Sequence, residues 1–304
     1  MKKVLLTGGA GFIGSHTADL LLDQGIAVRV LDNLSSGHRS NLPDSHSLLE
    51  FIEGDITSPS TVESAMKGVS HCLHLAAQVS VEASMQDPLH SAMQNIVGFV
   101  NVLNAAHKAG LERLVYASSA AVYGEPSEIP LRETAAKKQL SPYGLEKQVD
   151  EEYADLYLRV HGLSSLGMRF FNVYGPRQDP KSPYAGVIAL FVDRISGGKN
   201  LAVFGDGLQT RDFVYVGDVA RSNVAALSSL ETGACNIGTG NQTTLLELID
   251  ILSSITGNRC EVSFEPAREG DIKHSLANVE RMNRDLKVTA QVTMEKGLTR
   301  LLQA

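Results

Sequence analysis

Short apolar runs and longer stretches with helical spacing alternate along the first half of the chain. The short runs are typical of strands buried on both faces of a parallel sheet. They cover residues 4–6, 27–31, 49–52, 71–75 and 114–117. Apolar residues at helical spacing occupy residues 12–25, 61–67, 88–109 and the segment from 143 onward. Strands that alternate with helices predict an α/β fold, a doubly wound parallel sheet with helices on both faces.

The pattern changes after Arg169, where two proline-containing turns and several glycines interrupt the alternation. Beyond them the sequence predicts a helix at 187–196, a hairpin at 201–207 and a strand–helix pair at 213–227. Thr244 and Glu247 form a capping box that opens a helix to residue 255. We therefore expect a smaller, mixed C-terminal lobe that closes over the sheet. The predicted division assigns residues 1–170, with a return segment near 210–230, to the sheet domain and 171–304 mainly to the lobe.

A glycine-rich turn joins the first predicted strand to the first predicted helix. The segment reads KKVLLTGGAGFIGS and contains Gly8, Gly11 and Gly14. Backbone N–H groups at such a helix start bind phosphate, and glycine permits the close approach of a pyrophosphate. Asp32 ends the second strand 18 residues after Gly14, where an acid that binds an adenosine ribose is expected. This context predicts a Rossmann dinucleotide site rather than an ordinary tight turn.

The identity of the dinucleotide depends on Asp32. Its carboxylate favours NAD because it would repel the additional phosphate of NADP, whereas Arg39 nearby is compatible with NADP. NAD is the predicted cofactor.

Composition narrows the class of protein. The chain of 304 residues is 43% hydrophobic and 20% charged, as is ordinary for a soluble globular protein. Its formal net charge of -7 argues against nucleic acid or an anionic membrane as a partner. No apolar run reaches the length of a membrane helix, and the first run is too short for a signal peptide, so we expect a cytoplasmic protein.

Neither a disulfide framework nor a metal site is predicted. Cys72, Cys235 and Cys260 are widely spaced and include no CxxC pair. His71 and His74 belong to a predicted core strand, and no HExxH motif accompanies them.

Tyr143 and Lys147 are the candidate catalytic pair. Their spacing of four places both side chains on one helix face, one turn apart. The ammonium of Lys147 would stabilise the phenolate of Tyr143 and make it a usable proton acceptor. Ser118 and Ser119 follow a predicted strand, at the sheet edge where a ligand would lie. Each feature alone has an ordinary alternative. Tyr143 and Lys147 could be a chance pair on a solvated helix, and the two serines could be turn residues.

Nine motifs in order resemble the extended short-chain dehydrogenases/reductases and, among them, the UDP-hexose 4-epimerases. They run from residue 2 to about 280 and read TGGAGFIGS, DNLSSG, GDI, HLAAQ, SSAAVYG, SPYGLEK, RFFNVYGPRQDP, RDFVYVGDVA and REGDIKHSLA. The resemblance implies that Ser119, Tyr143 and Lys147 form the catalytic set. It also implies a homodimer that pairs through the helices near Asn95 and Tyr143.

The resemblance further implies which residues bind NAD and a UDP-sugar. The NAD site would comprise Gly8, Gly11, Phe12, Ile13, Gly14, Asp32, Asn33, Leu34, Ser35, Ser36, Gly37, Asp55, Ile56, Leu75, Ala76, Ala77, Gln78, Asn95, Ser118, Tyr143, Lys147 and Phe171. The substrate site would comprise Ser80, Val81, Ser119, Tyr143, Asn172, Val187, Val203, Phe204, Gly205, Gln209, Arg211, Arg268, Asp271 and Ser275. Asn172, Arg211 and Arg268 are the candidates for gripping the diphosphate, although the two arginines would also suit surface ion pairs.

The resemblance favours 4-epimerisation through a transient 4-keto sugar. Related dehydratases and decarboxylases carry an acid just after the catalytic serine or threonine, whereas this chain has Ala120 and Ala121 there. A decarboxylase, dehydratase or reductase is the alternative enzyme, and a non-catalytic dinucleotide sensor is the alternative outside enzymes. Retention of both Tyr143 and Lys147 argues against a sensor.

Ser275 is the candidate gate for N-acetylated sugars. It lies seven residues after Arg268, at a position where family members limited to plain hexoses tend to carry tyrosine. Serine leaves the volume that an acetamido group needs, although it would also suit a solvent-facing position.

Overall fold

The computed structural model describes residues 1–179, 186–258, 260–267 and 272–303. Its strands are β1 (Lys3–Thr7), β2 (Ala27–Asp32), β3 (Leu49–Glu53), β4 (His71–His74), β5 (Arg113–Ser119), β6 (Ser165–Phe170), β7 (Asn172–Tyr174), β8 (Leu201–Phe204), β9 (Thr210–Arg211), β10 (Phe213–Tyr215), β11 (Gly233–Ile237), β12 (Thr243–Thr244) and β13 (Val262–Glu265). Its α-helices are α1 (Phe12–Asp23), α2 (Pro59–Met66), α3 (Val81–Gln86), α4 (Pro88–Ala92), α5 (Gly98–Lys108), α6 (Pro142–His161), α7 (Val187–Ser196), α8 (Val216–Ser228), α9 (Leu245–Thr256) and α10 (Met294–Leu302).

Seven of the strands form one parallel sheet in the order β11-β6-β5-β4-β1-β2-β3. Alternate residues of β1 point to opposite faces, as the pleat requires. Val4 and Leu6 pack in a buried cluster with α1 and α8. Leu5 packs on the other face in a cluster that includes residues of α2, α5 and α6. Burial on both faces explains the continuous apolar runs and confirms the predicted doubly wound α/β fold.

The order of the strands reverses at β1. The chain proceeds from β1 to β2 and β3 on one side and then continues with β4 on the other side. Ligands of doubly wound sheets bind at the carboxyl ends of the strands beside such a reversal. Thr7 and His74 are paired at the ends of β1 and β4, so this position defines the mouth of the candidate site.

The second lobe is mixed, as predicted. Its two-stranded pairs are β7–β10 and β8–β13, both parallel, and β9–β12, which is antiparallel. Helices α7, α9 and α10 contribute to its apolar core. The capping box is confirmed, because Thr244 and Glu247 satisfy each other's backbone N–H groups at the start of α9. Helix α8 and strand β11 return to the sheet domain, and the predicted domain boundary stays a prediction.

The predicted hairpin at residues 201–207 is wrong. Strand β8 pairs in parallel with β13, so that Leu201 lies opposite Val262. Leu201 and Val203 alternate towards the buried core of the lobe. Gly205 and Gly207, which both have positive φ, turn the chain away towards β9 instead of back along β8.

The long helix predicted for residues 88–109 contains a widened turn. A π-helical turn, Met93–Val97, lies between α4 and α5. Such turns are frequent at functional sites. Here the turn carries Asn95, which is 1% exposed and belongs to the candidate site. None of the helices in the described part of the chain combines the length and apolar character that a membrane span requires.

Candidate functional site

The glycine turn after β1 approaches the end of β4 closely. Gly8 has φ +70°, and a Cβ atom added to it would lie 2.6 Å from the backbone nitrogen of Ala76. A Cβ on Gly14 would meet the backbone of Gly8, so the first turn of α1 rests directly on the loop. Only glycine fits both positions, and a tight turn of this kind lets a pyrophosphate approach the backbone.

Asp32 joins the glycine turn to the end of β2. Its Oδ2 accepts a hydrogen bond of 2.9 Å from the Ala10 backbone N–H, and its Oδ1 accepts one of 2.9 Å from Leu34. The carboxylate is 7% exposed and keeps acceptor capacity for a ribose hydroxyl. The glycine cradle and this acid therefore fit a dinucleotide.

The loop after Asp32 is ordered by a second acid. Asn33 donates a hydrogen bond of 2.8 Å to Asp55, which also accepts from the Thr57 N–H and hydroxyl. Although burial opposes the effect, these hydrogen bonds hold the pKa of Asp55 below its ordinary value. Leu34 adopts positive φ, and a Cβ on Gly37 would lie 2.8 Å from Ala10, so the predicted segment 33–37 folds back against the glycine turn.

The end of β4 supplies the opposite wall. Asn95 accepts the Gln78 backbone N–H at 2.8 Å and donates to the Gln78 carbonyl at 2.9 Å. Ser80 caps α3 by accepting from the Ala83 N–H, and Val81, the first residue of α3, is half exposed. Residues 75–81 and Asn95, predicted from separate motifs, therefore belong to one wall.

Strand alternation separates the two candidate serines. The Ser118 hydroxyl points inward and donates a hydrogen bond of 2.6 Å to Glu151. Ser119 lies at the end of β5, where its hydroxyl accepts from the Ala121 N–H at 3.1 Å as the chain enters the 3₁₀ turn Ala120–Val122. Ser119 is thus the serine placed at the sheet edge, and the Ser118 hydroxyl is committed to an internal network.

Helix α6 begins against that 3₁₀ turn. Ser141 caps the helix by accepting from Gly144, and Pro142 is its first residue. A Cβ on Gly144 would lie 2.7 Å from the Ala121 carbonyl oxygen, so no larger residue fits between the two elements. The Tyr143 N–H donates to Ser84 Oγ at 3.2 Å, which ties α6 to α3. The packing places Tyr143 beside the loop that follows Ser119.

Lys147 is buried and paired below Tyr143. Its Nζ lies 3.0 Å from Asp150 Oδ2, and both side chains are at most 2% exposed. Burial alone would lower the pKa of Lys147, but the charges of Asp150 and Tyr143 outweigh it and hold the pKa above its ordinary value. Burial raises the pKa of Asp150 to about 6, against the opposing effect of Lys147.

Further buried charges surround this pair. Glu146 accepts from Ser91 and Asn95, at 2.8 and 2.6 Å. Glu151 accepts two hydrogen bonds of 2.8 Å from Arg169 and pairs with Lys137. Despite burial, these donors hold the pKa of Glu151 below its ordinary value. Sequence reasoning missed Ser84, Glu146 and Asp150; only Asp150 had a detectable pattern, its spacing of three from Lys147.

Several predicted ligands have side chains inside the apolar core. Phe171 packs with Val122 and Tyr123, and Ile56 contacts the backbone position of Gly98. Val203 is 1% exposed in the core of the lobe. Each of these three side chains is enclosed by protein, and the predicted roles of the three residues in ligand binding stay predictions.

Among the residues predicted for the second lobe, the structure brings Gln209, Arg211 and Ser275 together around β9. The Ser275 N–H donates to the Thr210 carbonyl at 3.1 Å, and Arg211 follows Thr210 in β9. Gln209 donates to the Phe204 carbonyl at 2.7 Å, and its Oε1 is buried without a partner among the described residues. Ser275 is 8% exposed. Its predicted solvent-facing alternative is thus wrong.

Four further predicted ligands lie at the start of a helix or a strand. Phe12 and Ile13 begin α1, partly buried after the glycine turn. Asn172 begins β7 and Val187 begins α7. Arg268 and Asp271 lie outside the described residues.

Comparison with known proteins identifies the family. Residues 4–238 match the model of the NAD dependent epimerase/dehydratase family. A putative UDP-glucose 4-epimerase from Methanocaldococcus jannaschii is 40% identical over 301 residues, which cover 98% of this chain and 97% of that protein. The chain therefore belongs to the NAD-dependent epimerase/dehydratase family, and its cofactor is NAD.

Solved structures of UDP-sugar 4-epimerases are similar to this chain over nearly its whole length. A UDP-N-acetylglucosamine 4-epimerase from Methanobrevibacter ruminantium in complex with UDP-N-acetylmuramic acid superposes with a TM-score of 0.96 at 36% identity, covering 99% of this chain and 97% of that chain. A UDP-glucose 4-epimerase from Thermotoga maritima with UDP-glucose gives 0.94 at 38% identity, with coverage of 99% and 97%. Within its family the protein is thus similar to UDP-sugar 4-epimerases, which confirms the resemblance deduced from the motifs.

Proposed function

We propose that the protein is a UDP-sugar 4-epimerase that interconverts UDP-GlcNAc with UDP-GalNAc, UDP-Glc with UDP-Gal, or both. The observation that supports this proposal is the packing of the first turn of α6, which carries Tyr143, against the 3₁₀ turn that follows Ser119, with Lys147 buried one turn further along the helix. No carboxylate accompanies them at positions 120 and 121.

These residues have separate roles in the reaction. The phenolate of Tyr143 accepts the proton of the sugar 4-hydroxyl, while Ser119 holds the same oxygen and Lys147 stabilises the phenolate. When bound, NAD supplies the hydride chemistry at C4. The sugar ring of the resulting 4-keto intermediate rotates in the site, so that its C4 is reduced on the opposite face. Tyr143 then returns the proton to the 4-oxygen. Because the reaction restores every group, no external oxidant is consumed.

The cofactor would be held by the elements around the strand reversal. The N-terminus of α1 and the glycine turn suit the pyrophosphate, and Asp32 suits the adenosine ribose. The wall formed by Leu75–Gln78 and Asn95 would enclose the nicotinamide half. In the second lobe, Arg211 would bind the substrate diphosphate. We also assign Arg268 to that diphosphate, from sequence alone.

Ser275 is proposed as the gate for acetylated sugars. Its backbone is anchored to Thr210, next to Arg211, so the side chain sits near the proposed diphosphate site. A serine there leaves the volume that an acetamido group needs. UDP-GlcNAc is therefore expected to be a substrate at least as good as UDP-Glc.

A sugar-nucleotide decarboxylase, dehydratase or reductase is the alternative on the same fold. The alanines at positions 120 and 121 disfavour elimination and decarboxylation, which need a nearby acid in the related enzymes.

A homodimer is proposed as the assembly. Exposed apolar side chains on the adjoining helices α4 to α6 support it, since such patches mark interfaces. They are Leu89, Met93, Val97, Leu156 and Val160. The cytoplasmic location expected from the sequence stays a prediction.

The test is to incubate the purified protein separately with UDP-Glc, UDP-GlcNAc and UDP-GlcA and to separate the products by chromatography. Epimeric products of the first two sugars, without net reduction of NAD, are expected. A pentose product or accumulation of NADH would contradict the proposal.

A further inference from the structure

Asp150, the buried ion-pair partner of Lys147, has no role in the chemistry described above. Lys147 Nζ contacts Asp150 Oδ2 at 3.0 Å, one turn further along α6. Asp150 is 1% exposed, and its Oδ1 has no hydrogen-bond partner among the described residues. An unpaired buried carboxylate oxygen costs free energy, so a residue that merely filled space would be better replaced by an apolar one.

The surroundings make Asp150 the carboxylate that balances Lys147. The titratable groups that interact electrostatically with the pair come from α6, β4 and β5, and they are Tyr143, Glu146, Glu151, His74 and Tyr116. Glu151 is neutralised by Arg169 and Lys137, and Glu146 accepts from Ser91 and Asn95. Among the described residues, Asp150 is the acid in direct contact with the Lys147 ammonium.

The same lysine therefore faces two competing negative partners. The Tyr143 phenolate needs the positive charge of Lys147 in order to form, whereas Asp150 already offsets that charge. Asp150 is buried and Tyr143 is partly buried, so their charges are screened less than in water and the competition is strong.

We propose that Asp150 is a positioning residue that fixes the Lys147 ammonium and offsets its charge, and thereby limits how readily Tyr143 becomes a phenolate. The proposal rests on the proposed roles of Tyr143 and Lys147. Asp150 keeps the phenol protonated enough to return its proton at the end of each turnover. Although burial acts to lower it, the pKa of Lys147 is raised by the charge of Asp150, as expected of an acid that offsets the ammonium.

The test is titration of Tyr143 by tyrosinate absorbance in the protein as purified. The chain has eight tyrosines. Subtracting the titration curve of the Tyr143→Phe variant from that of the wild type isolates the absorbance of Tyr143 from that of the other tyrosines. In Asp150→Asn the Tyr143 titration should move to lower pH by about one unit, because an uncompensated ammonium then stabilises the phenolate. Asp150→Glu, which keeps the charge, should restore most of the original position.

The matched control is Asp155→Asn, which removes an exposed carboxylate of the same helix that pairs with Arg159. It should leave the Tyr143 titration unchanged. An unchanged or higher titration pH in Asp150→Asn would overturn the proposal. If Asp150→Asn does not fold, the smaller neutral variant Asp150→Ser replaces it, with the same expected direction.

The readout needs no sugar, so the inference is separable from the proposed reaction. A shifted Tyr143 titration in a protein that converts no UDP-sugar would refute the epimerase assignment and leave the role of Asp150 intact. Conversely, epimerase activity with an unshifted titration would refute the role of Asp150 alone. In an active enzyme, the acid limb of the kcat profile should move in the same direction as the absorbance titration.

Discussion

The Gly144 Cα approaches the backbone of Ala121 so closely that an added Cβ atom would lie 2.7 Å from the Ala121 carbonyl oxygen. Helix α6 therefore has no side-chain layer between its first turn and the loop that follows Ser119. Because Tyr143 adjoins Gly144 and Ser119 lies two residues before Ala121, we expect this contact to set the position of Tyr143 relative to Ser119, although neither residue of the contact has a reactive group.

Gly144→Ala should accordingly impair turnover more than stability. The methyl group must displace the start of α6 by a fraction of an ångström or more, and small misplacements of reacting groups cost about 10- to 100-fold in rate. The measurement is kcat of the variant, together with the amount of NAD that the purified variant retains. Leu145→Ala, at an exposed neighbouring position, is the control and should be nearly neutral. Wild-type turnover in Gly144→Ala would show that the contact does not position Tyr143.

Asp32→Ala should weaken NAD retention and narrow the preference for NAD over NADP. The change removes the proposed ribose acceptor and the two hydrogen bonds that hold Ala10 and Leu34. NAD released on denaturation, quantified per chain, is the measurement. Asp44→Ala, on the exposed part of the loop after β2, should retain NAD as the wild type does. If the dinucleotide released from the wild type is NADP, the role of Asp32 is wrong.

Ser275→Tyr should abolish conversion of UDP-GlcNAc and spare conversion of UDP-Glc. The ring would overlap the acetamido group, which the plain hexose lacks. Initial rates with both sugars provide the measurement, and Ser275→Ala should preserve both activities. Equal losses for the two sugars, or no loss for either, would show that Ser275 is not the gate.

His74 should make the folded state sensitive to acid. Burial lowers the pKa of His74 to about 3, with Lys147 acting in the same direction, whereas the unfolded side chain titrates near 6.5. Its contribution to stability is complete above pH 6.5 and is lost progressively as the pH falls towards 3. The unfolding free energy should therefore fall by up to about 1.4 kcal/mol per pH unit in this window.

Urea denaturation between pH 7 and 4.5 measures that slope. Burial raises the pKa of Asp150 to about 6, so protonation of Asp150 increases the unfolding free energy as the pH falls from about 6 to about 4. The slope of the wild type is therefore compared with that of a variant that lacks only the His74 titration. His74→Gln keeps a polar partner for Thr7 and removes the titration. Identical slopes for the wild type and His74→Gln would refute this account.

The sequence was most informative where local pattern and tertiary environment agree. Residues 2–15 predicted a strand, a glycine turn and a helix, and all three are present. The turn was predictable because it needs a backbone conformation and a close approach that only glycine allows. The capping box of Thr244 and Glu247 was predictable for the same reason, since it is satisfied within one turn of helix.

The missed features depend on partners far along the chain. The pairing of β8 with β13 could not be deduced from residues 201–207, whose alternation suits either a hairpin or a parallel pair. Likewise, the local residue pattern does not distinguish Ser118 from Ser119, whereas the folded chain does, because strand alternation turns the Ser118 hydroxyl inward to the buried Glu151. The burial that makes Asp150 a partner of Lys147 arises from the packing of α6 on the sheet.

The central claim is that C4 of the sugar loses and regains its own hydrogen while Tyr143 exchanges the hydroxyl proton. UDP-Glc and UDP-GlcNAc carrying deuterium at C4 test it most directly, with product isotopes located by NMR and Tyr143→Phe as control. We predict epimeric products that retain deuterium at C4, and at least about 100-fold slower conversion by a folded Tyr143→Phe variant. Loss of the deuterium to solvent, its appearance at another carbon, or near-normal turnover without the phenol would contradict the account.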